Sequence, residues 1–133
     1  MPQLQNLVLL DRATPTAVSH TFIPRDVTGN VGTVVESTGT PIGDNRVNVS
    51  LTRTPTGRYK GQVKLTLPVV QNQTINGVVS PIVVRTAYAD LNFTFDQAST
   101  EAERANCVGM AAESLAASKV LVNDTLVKLQ GVY

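Results

Sequence analysis

The amino-acid sequence predicts an α+β fold in which about five core strands come first and two helices come last. Three observations support this prediction. Two alternating segments are joined by a turn between residues 46 and 67, a long alternating segment covers 82–95, and the spacing becomes helical after residue 99. The chain has 133 residues, 42% of them hydrophobic, which suits a single domain, 1–133, with its own core.

The segment 46–67 predicts a β-hairpin with one apolar and one polar face, because Val47, Val49 and Leu51 alternate with polar residues and 63–67 repeats the pattern. Residues 53–57 contain a proline and a glycine and form the reversal. Between residues 45 and 89 there is no Asp or Glu. The same stretch holds six of the eleven Lys and Arg residues: Arg46, Arg53, Arg58, Lys60, Lys64 and Arg85. A polyanion is therefore the expected partner of the polar face.

Shorter apolar or β-branched segments precede this hairpin and predict strands at 4–10, 18–23 and 31–37. The first two of these form a small N-terminal hairpin that Pro24 ends, and 38–45 is expected to be a loop.

The segment after the central hairpin, which Pro68 ends, is uncharged and rich in amides. Residues 70–80 include Asn76-Gly77 and are typical of either a long loop or a flexible hairpin tip, and we favour a mobile loop. Pro81 then opens the strand 82–95.

The end of the chain predicts helices. Thr100 and Glu103 form a capping box, and small or apolar residues then recur at helical spacing, which favours a helix from about 101 to 117. Ser118-Lys119 breaks or kinks this helix, and a second helical segment stops at Gly131. Cys107, the single cysteine, is expected to be a small buried residue of the first helix.

Composition limits the possible functions. The net charge of +1 argues against a strong general attraction to nucleic acid, so the basic character is local. The start of the sequence resembles neither a signal peptide nor a membrane span, and a cytosolic protein is expected.

Two helices of small residues can cover only one face of a broad sheet. The other face is either solvated or binds a ligand, and a homodimer that doubles both layers is physically favourable.

Four segments carry a resemblance to a known family. RTAYADLNFTF at 85–95, STEAER at 99–104, KGQVK at 60–64 and GVY at 131–133 resemble, in order and spacing, the coat proteins of single-stranded RNA bacteriophages, the leviviruses, including the Qβ type. The resemblance runs nearly end to end. It implies an N-terminal hairpin, a five-stranded antiparallel sheet and two C-terminal helices. It also implies an intertwined homodimer with a ten-stranded sheet, from which dimers build an icosahedral shell in the cytoplasm of a bacterial host.

The resemblance further implies that the inner sheet face binds an operator hairpin in the viral RNA, represses translation of the replicase and marks the genome for packaging. Carried over to this chain, the RNA-binding positions are Val31, Arg46, Asn48, Ser50, Lys60, Gln62, Lys64, Tyr88 and Asp90. Among these, Tyr88 is the stacking residue, and relatives often carry Thr where this chain has Asn48. Amides, hydroxyls, cations and an aromatic ring are the groups that read unpaired bases.

Other classes of protein fit less well. His20 is the only histidine and is expected to be an ordinary strand residue, and no His, Cys or carboxylate cluster has the spacing of a metal or catalytic site. The sequence therefore predicts no catalytic residue, no metal, no cofactor, no small-molecule substrate and no membrane partner. The alternative function is a single-stranded nucleic-acid-binding module that does not assemble.

Overall fold

The computed structural model describes residues 3–13, 15–39 and 41–133, which form six strands followed by two helices. The strands are β1 (Leu7–Leu10), β2 (Ser19–Thr28), β3 (Val31–Glu36), β4 (Asn45–Arg53), β5 (Tyr59–Ile75) and β6 (Val78–Phe95), and the helices are α1 (Glu101–Ser114) and α2 (Val120–Leu126). A short 3₁₀ turn, Pro41–Gly43, precedes β4. The predicted α+β class is confirmed. The chain divides into two compact units, Met1–Thr94 and Phe95–Tyr133.

The N-terminal unit is one antiparallel sheet whose strands follow chain order from β1 to β6. The predicted N-terminal hairpin is β1 and β2, and because β2 also pairs with β3, the predicted five-stranded sheet consists of β2 to β6. The prediction that Pro24 ends this strand is wrong. A β-bulge between Pro24 and Asp26 shifts the register by one residue and lets β2 continue to Thr28. A bulge tolerates proline because it interrupts the regular hydrogen-bond ladder.

The central hairpin forms as predicted, with its turn between Arg53 and Tyr59. Val47 pairs with Leu65 and Asn48 with Lys64, and Arg53 pairs with Tyr59 next to the turn. Within the turn the amide of Gly57 donates to the carbonyl of Thr54 over 2.9 Å.

The prediction of a mobile loop at 70–80 is wrong. Strands β5 and β6 continue through this segment and meet at a two-residue turn, Asn76-Gly77. Asn76 and Gly77 have φ of 51° and 79°, as a type I′ hairpin turn requires. Pro68 does not end β5. The described ladder with β4 stops at Thr66, so Pro68 lies beyond it, where a missing amide breaks no bond to β4.

The 3₁₀ turn packs closely against β5. A Cβ atom on Gly43 would lie 2.6 Å from Cγ2 of Val70, so only glycine allows this approach. This contact gives the second half of β5 a packed neighbour beyond its ladder with β4.

The core within the described chain is small. Its buried apolar residues are Phe22, Val34, Val35 and Val47. Phe22, Val34 and Val47 form one cluster, against which four partly buried residues pack: Leu4, Leu7, Val63 and Leu65. Many other large apolar side chains are exposed, including Leu51 on the sheet and Met110 and Leu121 on the helices.

The C-terminal unit begins with the predicted cap. The amide of Glu103 donates to Thr100 Oγ1 over 3.2 Å, and α1 follows, ending at Ser114, three residues before the predicted end. The predicted break at Ser118-Lys119 is confirmed, since α2 starts at Val120. However, α2 ends at Leu126, well before Gly131.

Cys107 is exposed, contrary to expectation, and neither helix buries a residue in the described chain. No described helix is long and apolar enough to cross a membrane.

His20 is not an ordinary strand residue, because it joins the N-terminal hairpin to β3 and β4. Its Nε2 lies 2.7 Å from Asp11 Oδ2, and its Nδ1 lies 2.8 Å from Glu36 Oε2. Asn45 Nδ2 donates to Glu36 Oε1 over 2.7 Å. Both ring nitrogens can donate to carboxylates only when the imidazole is protonated.

These contacts shift two pKa values. Hydrogen bonds to Asp11 and Glu36 raise the pKa of His20 above its ordinary value of 6.5. Hydrogen bonds from His20 and from the amides of Val18 and Ala13 lower the pKa of Asp11 from 3.8 to about 2. The His20 contribution to stability is therefore complete below pH 6.5 and is lost as the pH rises through the raised pKa. The Asp11 contribution is present above pH 3.8 and is lost as the pH falls through about 2.

We expect the free energy of unfolding to fall as the pH rises above 6.5 and through the raised pKa of His20, because the His20 ion pairs are lost over this range. Urea unfolding of the parent and of His20→Gln measures this, and the variant should have the flatter pH profile. Lys119→Gln breaks the 3.2 Å ion pair between Lys119 and Glu113 without removing a histidine, and it should keep the parent profile. Equal slopes for the parent and His20→Gln would contradict the assignment.

Candidate nucleic-acid interface

The register of β3, β4 and β5 places the predicted polar residues in adjacent rows across one face of the sheet. One row contains Val31, Ser50 and Gln62, and the next contains Thr33, Asn48 and Lys64. Directly opposed side chains in such rows have Cβ atoms about 5 Å apart, and consecutive rows on one face are two residues apart along each strand. Five of the predicted RNA-binding residues therefore form one continuous patch, which we call the polar patch: Val31, Asn48, Ser50, Gln62 and Lys64.

Predicted basic residues extend the polar patch at both ends. Arg46 lies in the row beyond Asn48, opposite Thr66, and Lys60 lies in the row beyond Gln62, opposite Thr52. Among the residues that the structure describes, the ion pairs involve neither of these residues nor Lys64. Their positive charges are therefore available to an external anion.

The last two predicted residues lie on β6, the strand next to β5. Tyr88 and Asp90 are two positions apart, so their side chains point to the same face of that strand. The side chain of Tyr88 is strongly exposed, at 76%. An exposed ring on a strand offers a surface on which a base can stack.

Sequence analysis missed Thr33. Its hydroxyl donates to Asn48 Oδ1 over 3.0 Å, which holds the amide and leaves the NH₂ group of Asn48 to donate elsewhere. Only the pairing of β3 with β4 could have indicated this contact, because fifteen residues separate Thr33 and Asn48.

A polar cleft of about 440 Å³ opens beside Asn48. The side chains that line it are Arg25, Asp26, Thr28, Thr33, Arg46, Asn48 and Thr66. Of these, only Arg46 and Asn48 were predicted site residues. In the part of the chain that the structure describes, no group of His, Cys, Asp or Glu side chains is arranged to hold a metal ion.

Comparison with known proteins gives consistent matches along the whole chain. The sequence model of the levivirus coat protein family matches residues 2–133. The capsid protein of Pseudomonas phage PRR1 is 59% identical over 132 residues, which cover 98% of this chain and 99% of that protein. The capsid protein of Qbeta virus (strain MX1) is 34% identical over 137 residues and is matched over the full length of both chains.

Solved structures show the same fold. A chain of the virus-like particle of bacteriophage ESE058 superposes with a TM-score of 0.85 at 24% identity, covering 99% of this chain and all of that one.

Proposed function

This chain belongs to the levivirus coat protein family, and from that premise we propose that it dimerises, assembles into an icosahedral shell around the viral RNA genome, and binds an operator hairpin on its polar patch. It is a capsid protein of the virion, and the prediction that it is not an enzyme is confirmed by its relatives. Binding of the operator would repress translation of the replicase and favour packaging. The strongest support for RNA binding is the register of β3, β4 and β5. It places Ser50 and Gln62 in one row and Asn48 and Lys64 in the next row on the same face of the sheet.

The small core supports dimerisation. Burial of apolar surface contributes roughly 25 cal/mol per Å², and this chain leaves many large apolar side chains in contact with water. The helices α1 and α2 bury no residue within the described chain, and several of their apolar side chains are strongly exposed, including those of Met110 and Leu121. A second copy would provide a matching apolar surface, because a two-fold interface is self-complementary. In the proposed dimer two sheets join into a ten-stranded sheet.

The β5–β6 tip supports the assembly of dimers into a shell. Ile75 and Val78 flank the Asn76-Gly77 turn and are 55% and 66% exposed. Exposed apolar residues at the end of a long hairpin are suited to contacts with other dimers. We propose that this tip forms the contacts around the symmetry axes of the shell.

The polar patch supports recognition of unpaired bases rather than of duplex RNA. Single-stranded loops expose base edges that amides and hydroxyls can read, whereas the major groove of A-form RNA is too narrow for side chains. Asn48, Ser50 and Gln62 supply these groups, Lys64 supplies a cation, and Tyr88 supplies a ring for stacking.

We expect the double variant Ile75→Ser/Val78→Ser to remain dimeric but to assemble poorly, because it removes the exposed apolar residues that flank the turn. Size-exclusion chromatography with light scattering and electron microscopy would measure dimer and particle yields. Val18→Ser changes a similarly exposed valine outside this hairpin and serves as the control. Parent-like particle size and yield would exclude the tip as an assembly contact. A compact monomer of the parent chain at micromolar concentration would refute the dimer.

We expect Tyr88→Ala to weaken binding of an RNA hairpin selected on the parent dimer by about ten- to a hundredfold, since stacking contributes about 1 to 3 kcal/mol per base. Its salt dependence should change little. Lys64→Ala should also weaken binding. If Lys64 contacts a phosphate, the variant should also lower the salt slope, which is the steepness with which the logarithm of the binding constant falls with the logarithm of the salt concentration, by about one unit. Filter binding at several salt concentrations measures both, with a scrambled hairpin as the control. If both variants bind as tightly as the parent, the polar patch is not the RNA site.

We expect Thr33→Val to weaken binding of the same selected hairpin by about two- to tenfold, because Asn48 loses the hydrogen bond that orients its amide. Thr33→Ser keeps a hydroxyl and should restore most of the affinity. The loss should be specific to the selected hairpin, with unchanged affinity for the scrambled one. Equal losses for Val and Ser, or equal losses on both RNAs, would show that Thr33 does not orient Asn48.

A further inference from the structure

The cleft beside Asn48 contains two arginines that have no acidic partner among the described ion pairs. Arg25 and Arg46 both line it, and neither takes part in an ion pair in the described residues. A guanidinium presents several N–H donors in a planar fork that matches the oxygens of a phosphate.

The β-bulge in β2 explains why Arg25 is in the cleft. Pro24 pairs with Val34 and Asp26 pairs with Thr33, which leaves Arg25 as the extra residue between them. A bulge lets two consecutive side chains point to the same face, where a regular strand would alternate them. Arg25 and Asp26 accordingly line the same cleft.

We propose that this cleft binds a backbone phosphodiester of RNA between Arg25 and Arg46, adjacent to the bases read by the polar patch. The proposal rests on the proposed function, which it extends by assigning Arg25 as a second phosphate ligand. Arg46 lies one row from Asn48 and Lys64 on the same face, so a strand whose base reaches Asn48 has its backbone within reach of the cleft.

The charge of the cleft matches that of a phosphodiester. Two guanidinium groups and the carboxylate of Asp26 leave one net positive charge. A phosphodiester carries one negative charge, which balances this net charge. Hydroxyls of Thr28 and Thr66 offer further donors to the same group.

The test uses parent dimers and the hairpin selected on them, titrated at several salt concentrations. We expect Arg25→Gln to weaken binding about five- to thirtyfold and to lower the salt slope by about 0.7 to 0.9, as loss of one phosphate contact requires. Asp26→Asn should tighten binding a few-fold, because it removes the repelling charge. Lys128→Gln makes the same charge change as Arg25→Gln in the C-terminal unit and should leave affinity and slope unchanged.

The double variant Arg25→Gln/Arg46→Gln tests whether the two arginines share one phosphate. Residues that act on the same group are non-additive, so the double variant should lose less than the product of the two single losses. Inorganic phosphate, added as a competitor at constant ionic strength, should displace little RNA. Strong displacement would identify a free-phosphate site instead.

The outcomes separate this proposal from the proposed function. If Arg25→Gln binds like the parent while Lys64→Ala weakens binding, the polar patch stands and the phosphate cleft is overturned. If neither variant changes binding, RNA recognition on this face is refuted as well. If Arg25→Gln fails to form dimers, Arg25→Lys keeps the charge at the bulge. In that case Arg25→Lys is measured instead. Weaker RNA binding by Arg25→Lys with the salt slope of the parent supports the phosphate cleft, and binding as tight as that of the parent overturns the phosphate cleft.

Discussion

The cross-strand register of β3, β4 and β5 is the constraint on which the rest of the structure depends. Val47 is 1% exposed and pairs with Val34 on one side and Leu65 on the other, so the core row fixes how the strands align. A slip of one residue would exchange the two faces of the shifted strand. The burial of this row therefore places Asn48 and Lys64 side by side on the opposite face, and the proposed recognition of RNA follows from it.

The small size of the core supports the proposed dimer. A cluster of a few buried residues contributes little against the conformational entropy lost by ordering a chain of this length. The long strands β5 and β6 and the two helices leave large apolar side chains exposed. Stability and assembly are thus coupled in the proposed dimer, because the surface that completes the core also joins the subunits.

Polar contacts adjust this framework where the hydrophobic pattern does not. His20 bridges Asp11 and Glu36, which adds a pH-dependent link between the N-terminal hairpin and the end of β3. The bulge at Arg25 changes which side chains reach the polar face. Thr33 orients Asn48 from the neighbouring strand. Each of these acts between residues that are distant in sequence or through a local break in alternation.

The sequence by itself determined the α+β class, the central hairpin with its turn, the N-cap of α1 and which residues of β4 and β5 share a polar face. These features depend on periodicity and on local turn and cap chemistry, which a single segment contains. Its resemblance to the coat proteins also indicated the family. Tertiary structure decided the rest. Proline residues at 24 and 68 stay within strands because a bulge and the end of a ladder remove the need for their amides. The segment 70–80 is a hairpin because its two halves pair with each other, and Thr33, Arg25 and His20 gained their roles only through pairing between strands. Such contacts depend on register and packing across the sheet, which no local pattern in the sequence encodes.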